Sequence, residues 1–157
     1  YELLVDEIIE LLRPFDKKNM INNAIERGVV QMLGTAGTVT TISGVQMGLK
    51  RYNRVLVDGS WLNFEAVHDI CNKLVNSSFV ERASYSCIGK NRAELVVAGC
   101  GILQAICKTW PVGRLRVADR GVREGILFKL SGLILELPSK SKKLNGSNFR
   151  GGIKPKK

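Results

Sequence analysis

The chain has 157 residues, of which 45% are apolar, and its 24 lysines and arginines against 14 aspartates and glutamates give a formal net charge of +10. A length of this order suits one domain, and the apolar share is too high for a chain that is disordered throughout. The longest apolar stretch, at 95–107, is shorter than the roughly 20 residues of a membrane-spanning helix. The sequence begins at Tyr1 without a basic and apolar leader, which predicts a fragment or a processed chain.

The positive charge is concentrated near the C-terminus. Residues 138–157 contain seven basic side chains and no acidic ones, which leaves residues 1–137 with a net charge of only +3. The last segment is rich in lysine, glycine, serine and asparagine, a composition that predicts a disordered tail with non-specific affinity for polyanions. The folded domain is therefore predicted to span residues 1–137.

The four cysteines, Cys71, Cys87, Cys100 and Cys107, include no C-x-x-C pair, and a chain of this length has no need of disulfide staples. We expect free thiols packed in the interior of a cytoplasmic protein. His68 lies three residues before Cys71, which is half of a possible metal site, but no second half accompanies it. The residue spacing thus predicts no metal ligand in this chain.

In chain order, the first predicted element is an amphipathic helix over residues 3–12 that ends at Pro14. A polar connection over 16–23 follows, and the β-branched apolar run at 28–33 predicts a buried strand. This strand leads directly into the glycine turn at 34–38 and then into a helix that continues to about residue 49. The order is a strand, a glycine-rich turn and a helix.

The middle of the chain combines irregular structure with helices. Residues 51–62 are predicted to be mostly irregular, with a short extended piece at 55–57. Asn63 is a candidate N-cap for a helix that continues to about residue 76. The segment 79–88 predicts a short helix and a loop.

The C-terminal part contains a second strand, turn and helix. A long helix at 92–108 is apolar nearly all round its middle, so it is expected to lie inside the domain. Residues 115–118 predict a short strand, which is followed by a turn at 119–121 and a helix at 122–136. Two such units predict an α/β domain, in which ligands bind beyond the carboxyl ends of the strands.

The first glycine turn occupies this kind of position. Glycines let the backbone approach a ligand, free N–H groups at the start of a helix attract anions, and the hydroxyls of Thr35 and Thr38 add donors. A Gly-x-x-Gly turn that only joins a strand to a helix is at least as common. The turn alone therefore leaves a phosphate site and a simple connection both open.

The second turn, from Asp119 to Gly125, places four charged residues around two glycines. One interpretation is a ligand site, and the other is a solvated turn whose Glu124 interacts favourably with the helix dipole. Arg92 begins the most apolar helix and is expected near the rim of the domain. There it would contact an anionic ligand or form an ion pair with Glu94.

Three sequence segments carry a resemblance to a known family. The strings LGTAGTVTTISGVQMGLKRYNRVLVDG, RAELVVAG and RVADRGVREGIL begin at Leu33, Arg92 and Arg116. In this order and spacing they resemble the Ppx/GppA phosphatase family, whose members are exopolyphosphatases and guanosine pentaphosphate phosphohydrolases. The resemblance extends from about residue 33 to residue 130.

The resemblance implies a fold of the actin, sugar-kinase and heat-shock-chaperone type, with two ribonuclease-H-like domains and an active site in the cleft between them. It implies hydrolysis of a terminal phosphoanhydride in inorganic polyphosphate or guanosine pentaphosphate. It also implies Mg²⁺ as a cofactor and an acidic residue that activates water.

Individual residues match the family's motifs. Gly34, Thr35, Gly37 and Thr38 match the glycine-rich turn of the second domain, which implies contact with phosphates. Arg92 matches the arginine of an Arg-Ala-acid block and is expected to contact an anionic substrate. Five residues match the closing signature: Asp119, Gly121, Arg123, Glu124 and Gly125. The first four are expected to shape the cleft, with Arg123 paired to a nearby acid.

Other parts of the family pattern have no match. They are the first domain with its phosphate loop, the water-activating glutamate, and the Asp-x-Gly-Gly-Gly-Ser loop that opens the second domain. Residues 1–137 are therefore interpreted as an incomplete second domain with an uncovered sheet edge, which favours association with the missing first domain or as a homodimer. We expect no catalytic residue and no Mg²⁺ ligand in this chain, and no turnover by the chain alone.

Two other functional classes stay open. The basic tail suits a nucleic-acid-binding protein, although only 6% of the residues are aromatic and no zinc-binding spacing is present. A non-catalytic sensor of the same superfamily would bind a phosphorylated nucleotide without cleaving it.

Overall fold

The structure is a computed structural model that describes residues 1–132. The predicted tail at 138–157 and the end of the last predicted helix, at 133–136, lie outside the described residues. The helices are α1 (Glu2–Asn19), α2 (Ile21–Glu26), α3 (Gly37–Gln46), α4 (Arg54–Val57), α5 (Phe64–Asn76), α6 (Phe79–Ser84), α7 (Leu95–Thr109) and α8 (Val122–Leu130). The strands are β1 (Met32–Gly34), β2 (Trp61–Asn63) and β3 (Arg114–Val117).

The strands form one mixed sheet in the order β1-β3-β2. β1 and β3 are parallel, with Gly34 opposite Val117, whereas β2 runs antiparallel to β3, with Leu62 opposite Leu115. The two predicted strand–turn–helix units therefore lie side by side. Their turns emerge at the same edge of the sheet, because the carboxyl ends of parallel neighbours point in the same direction.

The hydrophobic core lies between one face of this sheet and the helices α3, α5 and α7. Leu62, Leu115 and Val117 are fully buried on the sheet side, and Ile42 of α3 and Leu74 of α5 are fully buried on the helix side. Burial of each such side chain stabilises the fold by about 1.5–3 kcal/mol. The core thus holds α3 against the sheet and fixes the position of the glycine turn that precedes it.

α1 packs along α7 and continues beyond the point where it was predicted to end. Pro14 lies inside this helix, and the chain stays helical to Asn19. Contacts past the proline hold the last turn: Trp110 Nε1 donates to Asp16 Oδ1 at 2.9 Å, and the rings of Phe15 and Trp110 meet edge to face. The prediction of an end at Pro14 was wrong because tertiary packing outweighs the loss of one helical hydrogen bond.

Three more segments differ from their sequence-based predictions. Residues 55–57, predicted to be extended, belong to the short helix α4, where Asn53 Oδ1 accepts from the backbone of Val55 at 3.0 Å. Most of the predicted polar connection at 16–23 is helical, in the last turn of α1 and in α2. The run at 28–33 supplies only the edge strand β1, and its Leu33 is 59% exposed rather than buried.

The remaining helices follow their predictions within a few residues, except that α8 ends at Leu130 instead of continuing towards residue 136. α5 begins after Asn63, although that side chain makes no capping bond, and α7 begins at Leu95 rather than at residue 92. α6 has a capping box between Ser78 and Glu81. β2 was not predicted, since it is three residues long.

The four cysteines are free thiols, as predicted, and all except Cys107 are buried. His68 Nε2 lies 3.0 Å from Nδ2 of Asn72. Among residues 1–132, no group of three or more histidines, cysteines and acidic residues is arranged to hold a metal ion. None of the helices in this part of the chain combines the length and the apolarity needed to cross a bilayer.

Candidate functional site

A cavity of about 610 Å³ opens at the carboxyl ends of β1 and β3. Its walls are the turn between β1 and α3, the segment before α7 and the turn between β3 and α8. All three sequence blocks that carry the family resemblance therefore contribute to one space. The lining residues are Thr35, Gly37, Thr40, Tyr52, Cys87, Ile88, Arg92, Asp119, Arg120, Gly121, Val122, Arg123 and Glu124.

The first wall is the N-terminal end of α3. Gly37 is its first helical residue, and the first amides of a helix have no carbonyl partner within the helix. The hydroxyl of Thr40 does not compete for them, because it donates to the carbonyl of Gly37 at 3.0 Å. The amides and the hydroxyl of exposed Thr35 are the donors that an anion in this cavity would meet.

Gly34 and Thr38, also predicted to contact phosphates, do not line the main cavity. A Cβ atom at Gly34 would lie 2.8 Å from Cγ1 of Val39, so this glycine allows α3 to pack closely on β1. Thr38 lines a smaller neighbouring cavity of about 300 Å³, and its side chain packs against Gly99 of α7. Both residues position the turn, while Thr35 and Gly37 face the main cavity.

Arg92 lies between the two cavities and lines both of them. Its Nη1 lies 3.4 Å from Oγ1 of Thr41, and within residues 1–132 it forms no ion pair, so the alternative pairing with Glu94 is not found. The side chain is exposed, and Gly37 is close to its guanidinium. Arg92 and the start of α3 can therefore contact the same anion.

The turn between β3 and α8 is held in place by Arg54. Its Nη2 contacts Glu124 Oε1 at 3.0 Å, its Nε contacts Asp119 Oδ2 at 3.3 Å, and it also donates to the carbonyl of Asp119. Tyr52 donates its hydroxyl to the same Asp119 oxygen at 2.7 Å. At the start of α8, the backbone N–H of Gly121 donates to Glu124 Oε2 at 2.7 Å. One arginine thus joins α4 to both acidic residues of the closing signature.

These contacts shift the pKa values of the groups involved. The amide of Gly121, followed by the guanidinium of Arg54, lowers the pKa of Glu124 from 4.5 to about 2. Burial, followed by the hydrogen bond to Asp119, raises the pKa of Tyr52. Glu124 is therefore ionised and engaged throughout the physiological range, which makes it a structural anion rather than a proton carrier.

Arg120 and Arg123 add positive charge at the cavity, but only one of them is paired. Arg120 Nε contacts Asp58 Oδ2 at 3.0 Å, and this guanidinium lowers the pKa of the Asp58 carboxyl. Arg123 was expected to pair with a nearby acid, and no such ion pair exists in the described part of the chain, since Glu124 is taken by Arg54. Arg123 therefore faces the cavity as an exposed cation.

The sequence analysis missed Tyr52, Arg54 and Asp58 as members of the site. All three lie in the RYNRVLVDG part of the first sequence block, which offered a signal only through the resemblance. Arg54 contacts Glu124 across 70 positions of the chain, a separation that no local pattern reveals.

The acidic residues of the cavity do not make a metal site by themselves. Asp119 is hydrogen-bonded to Tyr52 and Arg54, and Glu124 to Gly121 and Arg54. Mg²⁺ prefers carboxylate and water oxygens in octahedral geometry, and these carboxylates already face cations and donors. Residues 1–132 therefore do not fit an Mg²⁺ ion without ligands from elsewhere.

Comparisons with known proteins point to one family. A model of the Ppx/GppA phosphatase family matches residues 5–133. Exopolyphosphatase 2 of Mycobacterium tuberculosis is 21% identical over 104 residues, which cover 64% of this chain and 33% of that protein. The crystal structure of the Aquifex aeolicus member of the family has a TM-score of 0.66 and 23% identity, covering 85% of this chain and 42% of its own. An exopolyphosphatase from Cytophaga hutchinsonii has a TM-score of 0.66 and 21% identity, covering 83% of this chain and 41% of its own.

The chain spans about a third of the length of the curated relatives that it matches and less than half of the solved structures. The structural likeness shows the fold, which is the α/β, actin-like ATPase fold of these structures. The family model covers most of the sequence, from residue 5 to residue 133. On that match, the chain belongs to the Ppx/GppA phosphatase family.

Proposed function

We propose that this chain supplies the phosphate-binding wall of an active site that hydrolyses terminal phosphoanhydrides of inorganic polyphosphate, guanosine pentaphosphate or both. One observation carries the proposal: the start of α3, Arg92 and the closing turn converge on one cavity at the carboxyl ends of β1 and β3. The name of the relative from Mycobacterium tuberculosis supports polyphosphate as a substrate.

The groups in this cavity suit a chain of phosphates. The amides at Gly37 lie close to the guanidinium of Arg92, and Arg123 lines the same cavity. A guanidinium binds two phosphate oxygens at once, and the N-terminal end of a helix adds a partial positive charge. These groups hold and orient the substrate, and neutralise charge as the terminal phosphoryl group is transferred.

The proposal assigns the remaining chemistry to parts of the protein other than residues 1–132. Neither Asp119 nor Glu124 suits the role of a general base, because each is engaged by Arg54. Mg²⁺ would neutralise phosphate charge when bound, and its ligands would come with the base from a first ribonuclease-H-like domain. Residues 1–137 would then form an incomplete second domain that does not turn over substrate alone, in the cytoplasm, where free thiols persist.

Binding of the short probe tripolyphosphate to the 157-residue chain tests this wall. We expect Arg92→Gln to weaken binding by about tenfold or more, because a hydrogen-bonded charge pair contributes about 1.5–3 kcal/mol. Arg13→Gln is the matched control, because it changes the net charge by the same amount as Arg92→Gln. Arg13 lies on α1, and its side chain is 67% exposed. Equal affinity of both variants, measured by calorimetry, would contradict the proposed role of Arg92.

Two further measurements separate the cavity from the other possibilities. Deletion of residues 138–157 should lower the affinity for polyanions. The shortened chain should still lose tripolyphosphate affinity when Arg92 is changed to glutamine. If all affinity is lost with the tail, the cavity is not a phosphate site. Phosphate release from polyphosphate by the 157-residue chain, proportional to protein and abolished by Arg92→Ala, would overturn the assignment of catalysis to another domain.

A further inference from the structure

The second face of the sheet carries charge and an aromatic ring, and its side chains are exposed or half-buried within residues 1–132. Successive residues of a strand point to opposite faces of the sheet. The residues that precede and follow buried Leu62 and Leu115 in the sequence therefore point away from the core. On this face Trp61 is 38% exposed and Leu33 is 59% exposed. The other residues there are Asn63, Arg114 and Arg116.

Two arginines lie over the ring of Trp61. The Cζ atom of Arg114 is 4.4 Å from the ring centroid, and that of Arg116 is 5.1 Å from it. Gly59 makes room for Arg116, since a Cβ atom there would lie 3.3 Å from Nη2 of Arg116. Neither arginine forms an ion pair within residues 1–132. Both guanidinium groups therefore keep their capacity for an external anion.

A cavity of about 560 Å³ adjoins this cluster. Its lining includes Trp61 and Arg114. It also includes Gln31 and three apolar residues: Ile25, Pro111 and Val112. It lies at the amino ends of β1 and β3, opposite the edge where the candidate active site opens, and the two cavities share no residue. Its volume is within the range of about 300–1,000 Å³ typical of small-molecule sites.

We propose that this second cavity binds a nucleoside polyphosphate. The base contacts Trp61 and the apolar lining. Arg114 of the lining pairs with the phosphates together with Arg116, which lies outside the lining but over the same Trp61 ring. Bases stack on aromatic rings and on the planes of arginine side chains, and guanidinium groups bind phosphate oxygens in pairs. An anion without a base would use the two arginines but leave Trp61 and the apolar lining without a partner.

The comparison of ATP with tripolyphosphate isolates the contribution of the base, because both carry three linked phosphates. We expect the 157-residue chain to bind ATP at least about fivefold more tightly than tripolyphosphate, since stacking of one base contributes about 1–3 kcal/mol. Trp61→Leu should abolish this preference while the affinity for tripolyphosphate stays unchanged. Trp61→Phe keeps an aromatic ring and should retain most of the preference. Far-UV circular dichroism and thermal melts establish that both variants are folded.

Two more variants locate the site. The double change Arg114→Gln with Arg116→Gln should weaken ATP binding by about tenfold or more. Arg92→Gln weakens tripolyphosphate binding at the candidate active site, so it should not reduce the preference for ATP over tripolyphosphate. A failed phosphate proposal and a failed nucleotide proposal are thus distinguishable.

Three results would overturn the inference. One is equal affinity of the chain for ATP and tripolyphosphate. Another is a preference for ATP that survives Trp61→Leu or disappears with Arg92→Gln, which would place the nucleotide in the other cavity. The third is binding of single-stranded oligoadenylate that is much tighter than binding of ATP, increases with the length of the oligonucleotide and depends on Trp61. That result would identify the face as an RNA surface.

Discussion

The close contact between α3 and α7 predicts the outcome of a single methyl addition at Gly99. A Cβ atom at this position would clash with Oγ1 of Thr38 and lie 3.0 Å from its Cγ2 and 3.3 Å from its Cβ. Rotation of the threonine side chain offers only partial relief, because its Cβ, 3.3 Å away, stays in close contact whatever the rotamer. The Gly99→Ala variant must therefore push α3, which follows the glycine-rich turn, away from α7.

The magnitude follows from two opposing terms. Alanine is favoured over glycine in a helix interior by about 1 kcal/mol, whereas overpacking of a close contact costs about 1–3 kcal/mol. We therefore expect Gly99→Ala to change the free energy of unfolding by about 0–2 kcal/mol in the destabilising direction. Gly125→Ala in α8 is the matched control, since a Cβ atom there meets nothing within 4 Å, and it should be stabilising.

Urea denaturation followed by circular dichroism measures both variants against the parent chain. In a Thr38→Ala background, which removes Oγ1 and Cγ2, Gly99→Ala should become less destabilising by at least about 1 kcal/mol. The contact has no energetic role if Gly99→Ala stabilises the chain as much as Gly125→Ala does. The reasoning also fails if Thr38→Ala leaves the effect of Gly99→Ala unchanged.

Two further predictions concern the turn between β3 and α8. The pKa of Glu124 is lowered in the folded state from 4.5 to about 2, so its stabilisation is fully present above pH 4.5 and is lost as the pH falls towards 2. Glu124→Gln should therefore be less stable than the parent chain at neutral pH and approach it in acid, and a urea midpoint difference that is constant over this range would contradict the assignment. Tyr52→Phe removes the hydroxyl that donates to Asp119 at 2.7 Å and should lower the free energy of unfolding by about 0.5–1.5 kcal/mol. An unchanged unfolding free energy for Tyr52→Phe would show that water replaces this bond without loss.

The elements with strong local signals could be predicted from the sequence. α5 begins after Asn63, and α7 is the long helix that its apolar residues predict, because amphipathic spacing and capping are local properties. The glycine turn after the first strand was found for the same reason. Pro14 shows the limit of such rules, since α1 continues past it to make contacts with Trp110, which directly follows α7.

The candidate site was predictable only in part. Arg92 and the two turns were identified from motif blocks, and the structure brings them to one cavity. The division of the first turn was not predictable: Thr35 and Gly37 face the cavity, whereas Gly34 serves the packing of α3 on β1. That division depends on how far Val39 approaches the strand, which is a property of the packed domain.

The sequence by itself determined the family, through three motif blocks, and the α/β class, because glycine turns, helix starts and apolar periodicity are encoded over a few residues. Tertiary structure alone decided which charges are free to act. Arg54 neutralises Asp119 and Glu124 from a distant helix, while Arg92 and Arg123 face the cavity without an acidic partner among residues 1–132. It also placed Trp61 beneath Arg114 and Arg116 on the second face of the sheet. Electrostatic pairing acts through space between residues far apart in the chain, so a linear pattern records the charges but not their partners.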